Sequence, residues 1–465
     1  MKNVLIFLLL IVVSARADLV DDYVNGEMTN QHIPGVALAV LTNGVMAKAQ
    51  GYGWADEEGK VAVTTNTLFQ IQSVTKIFTA TATMLLAEEG KIDIDKKISA
   101  YLDNLPKAWS NVTVRHLLTH TSGIKDFINE PTVDLTKDVT PDEIVQSLSK
   151  LPLNFQPGEE YRYSNTGYQL LGMIIHRLTG MPWHEFVRRR VLVPAGMAST
   201  RVNSLDVQVP VAHGYCWEKD KMRPGYPVAM SILSYPGGGL LSSVVDLAAW
   251  DRCLYGETVL KRSVLEKMWT PATFNSGAKS EYGLGWGVED YHGHRFVSHG
   301  GAHMTGFKTT FTRFVDEKVT VIVLCNQRAA NPANMAIRIA GFYIPGLILS
   351  SMPDATDPRP DFSKHLRETL TKLSKGEASS DLTPEFRDQY QKDKTRSKTL
   401  ADRLKDAKGF QYLGMDDVAG RGITRYESPI RNIYYYKMPL KEGARYYTFY
   451  VAAQDKLAFY QSSEF

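Results

Sequence analysis

The chain has few cysteines, little excess charge and only one long apolar run. Its 465 residues contain three cysteines, Cys216, Cys253 and Cys325, too few for a disulfide framework or a four-thiolate zinc site. At most one bridge can form among them. The 53 Lys+Arg and 50 Asp+Glu residues leave a net charge of +3, which gives no electrostatic reason to expect nucleic acid as a partner. The composition, 44% hydrophobic and 22% charged, excludes disorder over most of the chain.

The one long apolar run lies at the N-terminus and predicts export. Val4 to Val13 follows a single positive charge and precedes Ala15-Arg16-Ala17, which has small residues where a signal peptidase reads. The run is short for a membrane span, and no later stretch reaches about 18 uncharged apolar residues. We predict a signal peptide over residues 1–17, cut before Asp18, and a secreted protein (periplasmic in a bacterial host). An uncleaved N-terminal anchor is the alternative.

Turn signals and periodicity predict an α+β fold in which helices flank an antiparallel sheet, with a large, mostly helical subdomain inserted. Asn43-Gly44 between two apolar runs predicts a β-hairpin over Ile33–Gly53. A helical pattern rich in Ala, Thr and Leu follows from Ser73 to Glu89. The further predicted helices are Val114–Leu118, Pro141–Ser149, Tyr168–Thr179 and Trp183–Val191, and the further strands are Tyr282–Val288, His294–Ser298, Lys308–Phe314 and Val319–Leu324.

The composition changes after a Pro- and Asp-containing stretch at residues 350–360, which we interpret as a linker between a main domain at 18–349 and an accessory domain at 361–465. The last domain is predicted to be small and α+β, with a charged helical segment followed by aromatic strands. Within it, Tyr434-Tyr435-Tyr436 fits two interpretations, packing inside a sheet or a surface on which a sugar or peptide stacks.

Ser73-Val74-Thr75-Lys76 is the first candidate for chemistry. Residues three apart on a helix share one face, so the lysine lies near the serine hydroxyl. A lysine in a partly buried pocket can be neutral near pH 7 and can then take the proton of that hydroxyl. Backbone N–H groups at a helix start can stabilise an oxyanion. The spacing Ser-x-x-Lys occurs four times, at Ser73, Ser122, Ser147 and Ser276. Of these serines, Ser73 alone follows a strand-like run and opens a long apolar helix.

Two later motifs supply complementary groups. In Tyr163-Ser164-Asn165, a phenol can relay a proton and an amide can bind a substrate carbonyl or hold the lysine. In Ser298-His299-Gly300-Gly301, glycines at the end of a predicted strand let a ligand approach the backbone closely. Neither tripeptide is specific alone, since Tyr-x-Asn recurs at Tyr23-Val24-Asn25.

In this order, the three motifs resemble the serine β-lactamase-like hydrolases of the class C type. These comprise class C β-lactamases, D-alanyl-D-alanine carboxypeptidases, D-aminopeptidases and related carboxylesterases. The likeness covers roughly residues 19–345 and implies a β-lactamase/transpeptidase-like fold. The connecting segments that also match are His116–Ile124, Pro157–Tyr168, Pro236–Ser243 and Tyr282–Gly287.

The resemblance implies roles for the motif residues. Ser73 corresponds to the acylated nucleophile, Lys76 to its general base, Tyr163 to the second proton-transfer group, and Asn165 to the amide that binds lysine and substrate. The backbone N–H groups of Ser73 and Ala302 would form the oxyanion hole. Accordingly, we expect a secreted serine hydrolase that acts on an ester, amide or peptide through an acyl-enzyme, with no metal and no cofactor.

One departure concerns the third motif. Class C β-lactamases have Lys-Thr-Gly there, whereas this chain has His299, Gly300 and Gly301, which we assign to substrate binding together with Ala302. A histidine is mostly neutral at pH 7, so an anionic substrate has no permanent positive partner at this position. Low pH would be needed to protonate His299 and supply a positive charge. We therefore expect an esterase or peptidase, with β-lactamase or D-Ala-D-Ala carboxypeptidase as the alternative.

Three further interpretations remain open at this stage. His292, His294, His299 and His303 are close in sequence, but no carboxylate ligand is evident, and we predict no metal site. His116 and His120 are interpreted as hydrogen-bonded core residues. The competing hypothesis is a non-catalytic secreted binding or assembly protein, and the presence of all four candidate catalytic residues favours the enzyme.

The expected partner is a small-molecule or peptide substrate, with no nucleic acid and no membrane span; the oligomeric state is open. Segments such as 125–138 and 216–234 would form the walls of the cleft.

Overall fold

The computed structural model describes residues 19–204, 210–377, 379–393, 395–419, 423–441 and 443–463, so the predicted signal peptide lies outside the described residues. The chain divides into two compact units, Met1–Tyr343 and Ile344–Phe465. This division precedes the predicted domain end at residue 349, and Leu349 packs in a core of the second unit. All three cysteines are free thiols. Within the described ranges, no helix is long and apolar enough to cross a membrane.

An antiparallel sheet organises the first unit. Seven strands pair in the order β3-β2-β1-β12-β11-β10-β9, while β4-β8-β5 and β6-β7 form two small sheets. The strands are β1 (Gly35–Thr42), β2 (Val45–Asp56), β3 (Val61–Ala62), β4 (Phe69–Gln70), β5 (Arg201–Val202), β6 (Tyr215–Glu218), β7 (Lys221–Pro224), β8 (Leu240–Ser242), β9 (Gly287–Tyr291), β10 (His294–Ala302), β11 (Lys308–Phe314) and β12 (Val319–Cys325).

Helices cover this sheet and form the inserted subdomain. Helix α10 packs on β11 and β12, α8 packs on β1 and β12, and α2 packs against α5 and α6. The helices are α1 (19–30), α2 (Thr75–Glu88), α3 (Val114–Leu118), α4 (Pro141–Leu148), α5 (Asn165–Thr179), α6 (Trp183–Val187), α7 (Met230–Leu233), α8 (Val244–Cys253), α9 (Arg262–Met268) and α10 (Pro332–Gly341). The α+β architecture with a helical subdomain is confirmed.

Local signals predicted the β1–β2 hairpin correctly. Asn43 and Gly44 both have positive φ angles, 52° and 74°, as the tight turn between twisted strands requires. The two strands then pair in antiparallel fashion, and β12 pairs with the other edge of β1. Every residue of β12 is buried, which is typical of a strand covered on both faces.

The predicted strand at Tyr282–Val288 is largely wrong, because β9 begins only at Gly287. Gly285 has φ of 84°, and a Cβ there would lie 2.4 Å from the Cβ of Ala80 on α2. The segment before β9 is therefore a turn packed against α2 rather than a strand. The predicted helix Trp183–Val191 also differs in part. Helix α6 ends at Val187, and a wider π-helical turn, Arg188–Leu192, follows it.

The second unit is small and α+β, as predicted. Its four-stranded sheet has the order β13-β16-β17-β18. Tyr434, Tyr435 and Tyr436 are at most 3% exposed, so the packing interpretation is confirmed and the stacking surface is wrong. The elements are α11 (Pro360–Ser374), α12 (Pro384–Lys392), α13 (Thr395–Leu404), β13 (Gln411–Asp417), β14 (Thr424–Arg425), β15 (Ser428–Pro429), β16 (Asn432–Pro439), β17 (Ala444–Val451) and β18 (Leu457–Ser463).

Candidate active site

Ser73 lies in a short 3₁₀ turn, Gln72–Val74, between β4 and α2. Gln72 has a left-handed backbone, with φ of 50°, which is uncommon for a residue with a side chain. Hydrogen bonds from its side-chain amide to Gln70 and Thr305 hold this conformation. The turn therefore holds Ser73 in place at the start of α2.

Lys76 occupies the first turn of α2 and is completely buried. Its Nζ lies 3.1 Å from Ser73 Oγ, 2.8 Å from Asn165 Oδ1 and 2.7 Å from the Gly237 carbonyl oxygen. Burial lowers the pKa of Lys76 to about 7, although the charge of Asp126 acts in the opposite direction. A neutral amine can donate its two hydrogens to the Asn165 and Gly237 oxygens, which directs its lone pair at the Ser73 hydroxyl.

Asn165 begins α5 and is oriented by two residues that the sequence analysis did not identify, Asp126 and Tyr235. The Asp126 carboxylate accepts hydrogen bonds from the backbone N–H and from Nδ2 of Asn165, at 3.0 and 3.1 Å. Because a carboxylate only accepts, the amide nitrogen must face Asp126 and the amide oxygen must face Lys76. The Tyr235 hydroxyl also donates to that oxygen at 2.7 Å. Burial raises the pKa of Asp126.

Tyr163 completes this group of polar side chains. Its side chain lines the cleft together with Ser73, and its ring centre is 4.8 Å from Lys76 Nζ. Burial raises the pKa of Tyr163 well above the usual value, so the phenol carries its proton at neutral pH. The structure thus brings together all four residues that were predicted to be catalytic.

His299 is buried on β10 in one defined neutral state. Its Nδ1 lies 2.7 Å from the Gly300 carbonyl oxygen, which can only accept, so Nδ1 carries the hydrogen. Nε2 then accepts from the Tyr282 hydroxyl at 2.8 Å. Burial, together with the nearby Lys76 charge, lowers the pKa of His299 to about 3. The low pH that was expected to charge this histidine must therefore be strongly acidic.

The end of β10 forms one wall beside Ser73. Pairing with β9 stops at Ser298, so His299–Ala302 have no strand on that edge. A Cβ on Gly301 would lie 2.3 Å from the Ile71 carbonyl oxygen and 2.2 Å from Thr309 Oγ1. Glycine at this position thus lets β10 approach the turn that carries Ser73.

A cleft of about 790 Å³ connects these elements. Its lining includes all the predicted site residues except Lys76, which lies behind Ser73. Among the ionisable residues of this lining, Asp126, Glu281 and Glu289 are carboxylates, and Lys308 is the one lysine. His303 also lines the cleft, and burial lowers its pKa to about 4. The lining therefore holds three carboxyl groups and one lysine, and burial raises the pKa of two of those carboxyl groups, Asp126 and Glu289.

The other Ser-x-x-Lys serines have different surroundings. Ser122, Ser147 and Ser276 each hydrogen-bond to a backbone group two or three residues away in the chain. Across the residues that the structure describes, no group of three His, Cys, Asp or Glu side chains could hold a metal ion. Of the predicted histidine cluster, His294 instead pairs with Glu317.

Comparison with known proteins gives the family. The family model described as Beta-lactamase matches residues 20–342, well over half of the chain. The chain belongs to the beta-lactamase family. The relatives of the chain in this family are serine hydrolases. The match ends just before the second structural unit begins.

Curated relatives and solved structures agree with this assignment. The chain is 31% identical over 327 residues to penicillin-binding protein 4* of Bacillus subtilis (65% of this chain, 72% of that protein). It is 27% identical to a D-aminopeptidase of Brucella canis (70% of this chain), of which it spans 62%, less than two thirds. The D-amino acid amidase of Ochrobactrum anthropi SV3 is 28% identical, with a TM-score of 0.55 (67% of this chain, 93% of that chain).

One solved structure is similar along both units. The octameric penicillin-binding protein homologue from Pyrococcus abyssi aligns with 94% of this chain and 96% of its own, with a TM-score of 0.62. At 24% identity this likeness concerns the fold alone.

Proposed function

We propose that the protein hydrolyses amide bonds of small peptides or amino-acid amides through an acyl-enzyme on Ser73. The observation that carries the proposal is the environment of Lys76, which is buried and lies 3.1 Å from Ser73 Oγ. This burial lowers the pKa of Lys76 to about 7. A base whose pKa is near the working pH transfers protons most effectively.

The geometry supports a two-stage reaction. Neutral Lys76 takes the hydroxyl proton as Ser73 Oγ attacks the substrate carbonyl carbon, and the N–H groups of Ser73 and Ala302 stabilise the oxyanion. Tyr163 gives its proton to the leaving amine, the C–N bond breaks, and Lys76 returns a proton to Tyr163. Water then attacks the acyl group, loses its proton to the same base, and releases the acid and Ser73.

The charges in the cleft favour neutral or amine-bearing substrates over anionic ones. His299 supplies no positive charge at neutral pH, and three carboxyl groups outnumber Lys308 along the wall. A carboxylate that entered would therefore find no cation at position 299 and one lysine, Lys308, in the lining. The names of two relatives, D-aminopeptidase and D-amino acid amidase, point to the same class. The same steps would cleave simple esters.

Intact-mass measurement after exposure to a neutral fluorophosphonate tests the acyl-enzyme. We expect one adduct on the wild type and on Ser122→Ala and Ser147→Ala, the matched controls, and none on Ser73→Ala. An adduct that persists in Ser73→Ala contradicts the proposed nucleophile. Absence of labelling and of turnover in the folded wild type would favour the non-catalytic alternative.

Turnover then resolves the substrate class. We expect kcat/KM for a D-amino-acid amide to exceed that for a chromogenic cephalosporin or a D-Ala-D-Ala peptide. The reverse order would favour the β-lactamase or carboxypeptidase alternative, which the penicillin-binding relative makes the strongest competitor.

We also propose export, with cleavage before Asp18. The support is the apolar run Val4–Val13 and the small residues before the cut. N-terminal sequencing of secreted protein should begin at Asp18, whereas full-length protein confined to the cytosol would contradict export.

A further inference from the structure

His120 is buried beside Tyr163, and the proposed reaction gives it no part. It is 1% exposed and has a positive φ of 57°, a conformation that few residues with side chains adopt. Its ring centre lies 4.2 Å from that of Tyr163 and 4.9 Å from that of Tyr282. A strained, buried histidine in contact with a candidate catalytic residue suggests a specific task.

Two hydrogen bonds tie His120 to the main chain on both sides of Tyr163. The N–H of Arg162 donates to the His120 carbonyl oxygen at 2.9 Å. The N–H of Ser164 donates to His120 Nδ1 at 3.1 Å. Because these donors flank Tyr163 directly, they fix the peptide planes from which its side chain projects.

The second bond defines the state of the imidazole. Nδ1 can accept only when it carries no hydrogen, so the hydrogen is on Nε2. Burial, with the charge of nearby Lys76, lowers the pKa of His120 well below its usual value. Nε2 is buried and has no hydrogen-bond partner among the residues that the structure describes. The imidazole is thus held as a neutral acceptor for Ser164.

We propose that His120 is a positioning residue, which holds the Tyr163 side chain in place beside Ser73 and Lys76 by fixing the backbone on both sides of Tyr163. The proposal rests on the proposed function, since it assigns Tyr163 a proton-transfer step. Loss of the Nδ1 acceptor would leave the buried Ser164 N–H unpaired and allow this segment to shift. A shift of about 1 Å in a group that transfers a proton slows the reaction severely without changing how substrate binds.

The test compares two variants of His120. In His120→Asn the side-chain oxygen stands where Nδ1 stood, and asparagine tolerates a positive φ better than most residues. His120→Phe keeps a ring of similar size but has no acceptor. The matched control is His116→Phe, because His116 Nδ1 accepts the Thr113 N–H at 3.2 Å in the same way, on α3, away from Tyr163.

We would measure kcat and KM with the amide substrate, and the melting temperature of each variant. His120→Phe should lower kcat by about tenfold or more with KM within about twofold, since a displaced proton-transfer group slows the chemical step. His120→Asn should stay within about threefold of wild-type kcat, and His116→Phe should keep wild-type kcat even where its melting temperature falls. If His120→Phe is insoluble, His120→Gln replaces it. The glutamine amide lies one bond further from the backbone than that of asparagine, so it should miss the Ser164 N–H, and kcat of this variant should also fall.

The proposal is overturned if the folded Phe or Gln variant keeps wild-type kcat, or if His120→Asn loses as much as His120→Phe. Fluorophosphonate labelling of wild-type Ser73 is measured first. Failure of that labelling contradicts the proposed function itself, whereas normal labelling with an unaffected His120→Phe contradicts only the positioning role.

Discussion

Lys76 has no contact with solvent, and that burial determines when the candidate base can act. Its pKa is lowered to about 7, so the neutral fraction rises as pH rises through this value. We expect the labelling rate with a neutral fluorophosphonate to increase nearly tenfold from pH 5 to pH 6 and to level off above about pH 8. Lys76→Arg, which stays charged, should show a low rate with no such rise. A wild-type rate that is flat from pH 5 to pH 8 would contradict this assignment.

Asp126 acts on the same base through Asn165 and through its charge. Asp126→Asn should reduce the labelling rate by about tenfold or more, because the Asn165 amide loses its fixed orientation toward Lys76 and a misplaced group slows the chemical step. Since the Asp126 charge raises the pKa of Lys76, the pH at which the rate rises should also move lower. Asp134→Asn, in an exposed part of the same segment, is the control and should change neither value. An unchanged pH profile in Asp126→Asn would show that the carboxylate does not influence Lys76.

At the scale of elements, the approach of β10 to the Ser73 turn depends on one missing side chain. Neither Gly300 nor Gly301 has a positive φ, so alanine is allowed by the backbone at both positions. At 301 a Cβ would clash with the Ile71 carbonyl oxygen at 2.3 Å, whereas at 300 the nearest atom is 3.7 Å away. Gly301→Ala should therefore lose about 100-fold in labelling rate, and Gly300→Ala less than about fivefold. Equal effects in the two variants would contradict this role of Gly301.

Elements that depend on neighbouring residues were predictable from the sequence, and those shaped by distant contacts were not. The β1–β2 hairpin follows from Asn43-Gly44, because the turn and its strands are adjacent in the chain. The false strand at Tyr282–Val288 had the right apolar pattern, but the approach of α2 to Gly285 makes it a turn. Such an approach leaves no local signal.

The same distinction applies to the candidate site. Ser73, Lys76, Tyr163 and Asn165 lie in short motifs, and they were found from the local context of Ser73 and from the order of the motifs, which resembles that of the serine β-lactamase-like hydrolases. Asp126 and Tyr235 reach Asn165 from 39 and 70 residues away in the chain, and no spacing rule connects them. The segment at 125–138 was predicted to line the cleft, but which of its residues touches the site depends on the fold.

At the scale of the whole molecule, the two units have separate cores, and the family match at 20–342 ends at their division. We predict that a chain shortened to end at Tyr343 folds and keeps fluorophosphonate labelling of Ser73. The physical reason is that it retains α10, which packs on β11 and β12 and whose first residues line the cleft. Labelling stoichiometry and the melting temperature of the shortened chain provide the measurement.

Two further shortened chains make this test specific. A chain ending at Pro353 adds Leu349, which packs in a core of the second unit and would be exposed, so it should label equally but be less soluble. A chain ending at Asn331 lacks α10 altogether and should lose labelling, because β11 and β12 would be uncovered on the face where that helix packs. If the chain ending at Tyr343 instead behaves like the one ending at Asn331, the residues from Ile344 onward are required to complete the fold or the cleft, and the accessory-domain interpretation of 361–465 is wrong.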